Sequence, residues 1–298
     1  MPKSKVVLVR SKELESGADP SIKRFESMLC AGMSALNDCM MHIECWAKLA
    51  KNSGRIGIKP NCVAAPQMSS SVELVLALAD LLRNAGKKAG DIVIWERQNA
   101  ELKRAGFKPD VSGDGFRCYG TDTRGVGYGS KFHKLGKVGS LVTRIIENDC
   151  DHLINVPILR DHSLAGVSGA MKNYYGAVHN PNKYHDNNCD PYVAEVNALP
   201  VIKDKNILTV MDMTRMQYNG GPGYRSAYAV NLGSILISTD PVAIDAVGEK
   251  IINEQRSLHE MGSLADAGRH PKWLVTAQEL GVGTADLSSI DLIEVNVD

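Results

Sequence analysis

Two short apolar runs, RIGIKPNCV at residues 55–63 and DIVIWER at residues 91–97, flank the helical pattern SSSVELVLALADLLRNAGKK at residues 69–88. A strand, a helix and a second strand in that order predict a right-handed crossover and therefore a parallel pair. Parallel strands must be covered on both faces, so this unit constrains the whole chain. The expected fold is α/β, a mostly parallel sheet with helices on both faces. It is read as one unit over residues 1–298, with lobes at 1–150 and 151–298 as the alternative.

Further elements extend the pattern. A strand is expected at Val6 to Val9, and apolar residues from Ile22 to Leu49 recur at helical spacing, as one long helix or two. Met28, Met33, Met40 and Met41 read as core filler there. Residues 138–147 read as a helix. The run from Leu153 to Leu159 reads as a buried strand, and ILTVMDM as another that ends at Asp212. In TDPVAIDAVGEKIINEQ, Asp240 is placed as the helix cap with Pro241 in the first turn. Residues 106–140 carry nine glycines and no sustained periodicity, and read as a lid, a solvated excursion or a β-hairpin.

The densest chemistry lies in HSLAGVSGAMKNYYGAVHNPNKYH, residues 162–185. His162 is expected just past a strand end, where ligands gather in open α/β sheets. Gly166, Gly169 and Gly176 permit close backbone approach, and a helix opening near Gly169 would offer unpaired N–H groups to an anion. Lys172 adds charge there, beside Asn173. Lys59 and Asn61 after one strand, and Glu96 and Arg97 after the next, are expected at the same sheet edge.

Charge narrows the partners. With 34 basic and 34 acidic residues the chain has no overall field toward nucleic acid, and no apolar run reaches the roughly 18 residues that a membrane span needs. A small anionic molecule at a local basic site is the expected partner. Seven cysteines without a C-x-x-C pair exclude a disulfide scaffold, and an iron–sulfur cluster would require Cys62, Cys118, Cys150 and Cys189 to converge. The start, MPKSKVVLVRSKEL, lacks an export-signal pattern and reads as cytoplasmic; trimming of a leader from an exported, periplasmic protein would leave the same sequence.

IKPN at 58–61, NVPILRDHSLAGVSGAMKN at 155–173, GGPG at 220–223 and STDPVAIDAVG at 238–248 together resemble the domain of unknown function 362 family, across nearly the whole chain. Some members of that family are associated with iron–sulfur domains and with twin-arginine export. A more distant resemblance joins H-x-x-A-G-x-S-G-x-x-K, His162 to Lys172, to the lactate racemase superfamily. That resemblance implies His162 as an acid/base residue and Lys172 as the contact to a nickel-pincer nucleotide. It implies His185 as a metal ligand, with His179 competing. The chain departs from that superfamily at Lys59 and Asn61, where an Asp and an Arg stand, and at Glu96 and Arg97, where a catalytic His stands. Ala170 and Met171 replace a glycine and an arginine. Racemisation with two histidine bases is therefore not expected unless Glu96 substitutes.

The expected function is an enzyme acting on a small anionic metabolite by acid/base or redox chemistry at His162, Lys172 and Glu96. A divalent or redox metal (nickel, iron or zinc), or an organometallic cofactor, would assist it. Lys59, Asn61, Arg97, Gly166, Gly169 and Asn173 would bind ligand or cofactor. A non-catalytic binding protein for a phosphorylated or carboxylated ligand, or an iron–sulfur redox protein, is the alternative.

Overall fold

Strands at Ile56–Pro60 and Ile92–Glu96 are buried along their whole length, as expected of strands inside a sheet covered on both sides. The computed structural model describes residues 3–39, 42–51, 53–112 and 115–298. In chain order the first half holds β1 (Ser4–Arg10), α1 (Lys12–Glu15), α2 (Ile22–Asn37), α3 (His42–Ala50), β2 (Ile56–Pro60), α4 (Val72–Asn84), β3 (Ile92–Glu96), α5 (Asn99–Ala105), β4 (Arg117–Gly120), β5 (His133–Leu135) and β6 (Val138–Ser140). The second holds β7 (His152–Val156), β8 (Ile158–His162), β9 (Gly166–Ser168), α6 (Ala170–Asn173), α7 (Tyr192–Ala198), α8 (Pro200–Lys203), β10 (Asn206–Gln217), β11 (Ala229–Ser238), α9 (Pro241–Leu258), α10 (Trp273–Glu279) and β12 (Ile290–Asn296).

The main sheet has the order β12-β1-β11-β10-β7-β2-β3-β4. From β10 through β7, β2 and β3 to β4 every pairing is parallel, whereas β11 runs antiparallel to both β1 and β10. Strands from both halves of the chain share this sheet, since β1 pairs with β11 and β12. The expected mostly parallel α/β architecture is thus present.

Alternation along the strands divides the core in two. On β1, Val7 and Val9 face a cluster with Phe25, Met28 and Met33 of α2 and Leu78 of α4. Val6 and Leu8 face the other cluster, with Val196 of α7, Ile244 of α9 and Trp273 of α10. Burying each such aliphatic or aromatic side chain contributes about 1.5–3 kcal/mol. Met28 and Met33 are core residues as expected; Met40 and Met41 lie outside the described residues. Asp240 caps α9, accepting from the Val242 and Ala243 N–H groups at 2.9 Å. No helix among the described residues is long and apolar enough to cross a membrane.

Three local expectations change. Residues 138–147 form no continuous helix: Val138–Ser140 pairs with β5 in a two-stranded hairpin, and a π-helical turn follows at Ile145–Asp149. Gly139 and the β-branched Val138, Val142 and Thr143 disfavour helix there. The apolar run 153–159 is two strands split at Pro157, which has no N–H to offer a ladder; its carbonyl accepts from Asp212 N at 2.8 Å. β8 therefore extends to His162, which ends the strand instead of following it. β10 likewise continues past Asp212 to Gln217 because it keeps pairing with β11 beyond a register shift.

Candidate functional site

The carboxyl ends of β7, β2 and β3 lie side by side, with Lys59 in register with Asn155. Above them β8 and β9 form an antiparallel hairpin, and α6 follows directly. These elements enclose a cavity of about 200 Å³, lined among others by Lys59, Glu96, Arg160, His162, Lys172 and His185. Asn61, Arg97, Glu101, Ser168, Asn173 and Tyr175 also reach it. In a larger groove of about 510 Å³ at Ser69 to Ser71, Ser71 N and Oγ both donate to Asp212 Oδ2 at 2.8 Å. Another, of about 1000 Å³, runs beside the β5–β6 hairpin. Buried unlike charges converge only in the first of the three.

Its floor is a polar network in which Asn61 Oδ1 has no hydrogen-bond partner. Lys59 Nζ donates to Glu96 Oε1 at 2.8 Å, to the Pro60 carbonyl at 3.2 Å and to Asn173 Oδ1 at 3.3 Å, which uses all three of its protons. Glu96 is as fully engaged: Oε1 also accepts from Arg97 N at 2.7 Å, and Oε2 from Cys62 N at 3.3 Å. Asn173 Oδ1 accepts a further bond from Asn61 Nδ2 at 3.0 Å, and its amide group donates to Asn155 Oδ1 at 2.8 Å. Arg97 pairs with Glu101 at 2.9 Å. Gly176 makes this floor possible, because a Cβ there would sit 2.8 Å from Glu96 Oε1 and 3.0 Å from Lys59 Nζ.

The walls carry positive charge that no carboxylate pairs with among the described residues. Strand alternation sends Arg160 and His162 to the same side of β8 and Asp161 to the other, where Arg269 pairs with it at 2.6 Å. Arg160 donates through Nη1 to the Pro222 carbonyl at 2.7 Å and through Nε to Ser168 Oγ at 3.4 Å. Burial lowers its pKa to about 10. Lys172 Nζ lies 3.0 Å from His185 Nε2 and 4.1 Å from the Tyr175 ring centroid. Burial, with Arg160 adding to it, lowers the Lys172 pKa to about 8, although Cys189 acts in the opposite direction. Among the described residues no carboxylate forms an ion pair with Arg160 or Lys172.

Hydrogen bonding fixes the tautomer of both histidines. His162 Nδ1 accepts from Leu164 N at 3.1 Å and Ala165 N at 3.2 Å, so its proton sits on Nε2. Burial first, then the charges of Lys172, His185, Arg160 and Arg269, lower its pKa to about 2. It is a neutral donor. His185 Nδ1 lies 3.3 Å from the Asn182 carbonyl, which places the proton on Nδ1 and leaves Nε2 to accept from Lys172. Burial and Lys172 lower its pKa too. The two rings stack at 5.8 Å.

Some expected site residues lie elsewhere. Gly166 turns the β8–β9 hairpin at φ +75° and packs on the Arg269 carbonyl, which reserves the position for glycine without bringing it to the cavity. Gly169 precedes α6 beside Asp245. Asp245 supplies both oxygens to the first turn, accepting from Ala170 N at 2.6 Å and Met171 N at 2.8 Å. The helix start expected to bind an anion is therefore occupied by the protein's own carboxyl. His179 packs edge-on against Tyr128 at 5.0 Å and does not line the cavity. Arg160, Asn155, Glu101 and Tyr175 join the site without having stood out in the sequence; the R-D-H alternation within 160–162 is the available signal for Arg160.

Among the described residues no three His, Cys, Asp or Glu side chains are grouped to hold a metal ion, and His185 Nε2 is engaged by Lys172. At about 200 Å³ the cavity is smaller than the roughly 300–1,000 Å³ of drug-sized ligand sites. Cys62 and Cys118 lie on one sheet face and Cys150 and Cys189 on the other, so these four thiols do not converge.

Fold and site together define an α/β protein with a cationic cavity at the carboxyl edge of its parallel strands. Residues 56–250 match the family described as Domain of unknown function (DUF362), and the chain belongs to that family. No curated protein matches it. A crystal structure of a protein from Thermotoga maritima is similar at 11% identity with a TM-score of 0.47, over 72% of this chain and 58% of that one. The chain thus spans less than two thirds of that protein.

Proposed function

We propose that the cavity binds a small carboxylate- or phosphate-bearing metabolite and acts on it by acid/base chemistry at Lys172. One observation carries this reading: Arg160 and Lys172 are both buried at the cavity wall with no carboxylate ion-paired to either among the described residues. A desolvated, unpaired cation costs several kcal/mol, and an anion bound between the two would offset that cost. Arg160 holds the anion, His162 Nε2–H donates a neutral hydrogen bond to it, and Lys172 exchanges a proton with the reacting atom. With a pKa of about 8, Lys172 is available in both protonation states near neutral pH. Glu96 and Lys59 neutralise each other and hold Asn173, so they are positioning residues in this scheme.

Calorimetric titration with acetate, lactate, pyruvate and inorganic phosphate tests the proposal. Saturable binding of at least one is expected, with affinity reduced about tenfold or more in Arg160→Met, in keeping with the loss of a charge-assisted hydrogen bond. Thermal unfolding should report the same ligand, because a hundredfold excess over Kd adds about 2.7 kcal/mol of stability. Absence of binding at millimolar concentration across the panel, or equal binding by Arg160→Met, would refute it.

A further inference from the structure

We infer that the metabolite is a small 2-oxo acid and that Lys172 binds it covalently, as an iminium. The inference rests on the anion site proposed above and goes further in assigning a bond. Three geometric facts lead to it. The Lys172 amine is buried in a small cavity; its hydrogen-bond partner is an acceptor, His185 Nε2, at 3.0 Å; and the Tyr175 ring beneath it restrains the nitrogen. A lysine that serves only as a counter-charge has no use for an imidazole lone pair directed at its protons. A lysine that must lose protons to become a nucleophile does.

Arg160, on β8 and lining the same cavity, is the second cation and the natural partner for the acid's carboxylate, since a guanidinium pairs with it through two parallel N–H groups. His162 Nε2–H then serves the carbonyl oxygen. His185 Nε2 removes a proton from the Lys172 ammonium, the freed electron pair bonds to the carbonyl carbon, and the C=O π pair moves to oxygen. Two of the three ammonium protons, carried in turn by His185 Nε2, end on that oxygen. The nitrogen pair closes the C=N bond as the oxygen departs as water, and one proton remains on the iminium nitrogen. No oxidant or reductant is needed. The size of the cavity, about 200 Å³, favours an acid of a few carbons.

The test uses the intact chain with pyruvate or glyoxylate and borohydride, followed by peptide mapping by mass spectrometry. A single adduct on Lys172, heavier by the mass of the acid less one oxygen atom, is expected. Excess lactate, which has the carboxylate but no carbonyl, should suppress it. His185→Gln should slow its formation roughly a hundredfold, the scale of a lost general base. Pyruvate binding by calorimetry with no trapped adduct would overturn the covalent assignment and leave the anion site standing. Failure of every acid and of phosphate to bind would overturn both. Adducts spread over surface lysines, with none preferred at Lys172, would also overturn the assignment.

Discussion

Lys59 Nζ and Glu96 Oε1 are 2.8 Å apart, and both side chains are 1% exposed. The pair joins the ends of two adjacent parallel strands and, through Asn173, fixes the segment that carries Lys172. Removing one partner would leave the other charge buried without compensation. Glu96→Gln is expected to cost about 3–5 kcal/mol in denaturant unfolding. The double change Lys59→Met with Glu96→Gln should be less destabilised than Glu96→Gln alone, because no charge is then stranded. Equal stability of Glu96→Gln and the native chain would contradict the network.

Gly176 supplies an independent check on the same floor. Gly176→Ala pushes a methyl against the Lys59 and Glu96 side chains and is expected to cost about 1–3 kcal/mol. If the loss is confined to Gly176→Ala in the native background and shrinks when Lys59 is shortened to Ala, contact with these two side chains is responsible. An unchanged loss would place the strain elsewhere.

The architecture is largely legible in the sequence because its signals are local. The expected strand, helix and strand between residues 55 and 97 appear as Ile56–Pro60, Val72–Asn84 and Ile92–Glu96, and they bring Lys59, Asn61, Glu96 and Arg97 to one edge. His162, Lys172, Asn173 and His185 reach the same cavity. What is not legible depends on distant pairing. Asp245, 75 residues from Ala170, occupies the helix start that looks ready for an anion. Lys59 resembles an anion binder, yet its protons are taken by Glu96, Asn173 and its neighbour's carbonyl. Arg160 escapes the pattern because the apolar run stops at Leu159, although one further step of strand alternation pairs it with His162.

Asp245 makes stability depend on pH. Burial raises its carboxyl pKa from 3.8 to about 7, with the Met171 and Ala170 N–H groups acting in the opposite direction. Between those values the folded chain holds a proton that the unfolded chain has released, so this contribution to stability is present at low pH and is lost as pH rises through about 7. Asp245→Asn, neutral at every pH, should gain on the native chain by up to roughly 4 kcal/mol between pH 4 and pH 8, since each tenfold difference in proton affinity between the folded and unfolded chain is worth about 1.36 kcal/mol. Urea unfolding at the two pH values measures it. A constant difference would show that Asp245 is charged throughout.

Lys172 gives the opposite slope at higher pH. Its folded pKa is about 8 against 10.5 for an ordinary lysine, so between those values the unfolded chain holds the extra proton and stability rises with pH. Acylation followed residue by residue with mass spectrometry should show a midpoint near 8 for Lys172, well below that of the exposed lysines. Arg160→Met removes a like charge and should move this midpoint upward. No movement would mean that the two cations do not share the cavity.

His162 is expected to stay neutral across the working range. Burial brings its pKa to about 2, and the two backbone N–H groups at Nδ1 hold the proton on Nε2. Imidazole nitrogen NMR should show one Nε2–H tautomer from about pH 4 to about pH 8, with no titration step near the usual 6.5. His162→Phe preserves the ring but removes the donor and strands the Leu164 and Ala165 N–H groups, at a cost of about 1–3 kcal/mol in stability. Anion affinity in the folded fraction of that variant should fall about tenfold, the scale of one hydrogen bond. A histidine that titrates near neutrality would instead make anion binding strengthen as pH falls through about 6.5, and that profile would remove His162 from the role of neutral donor.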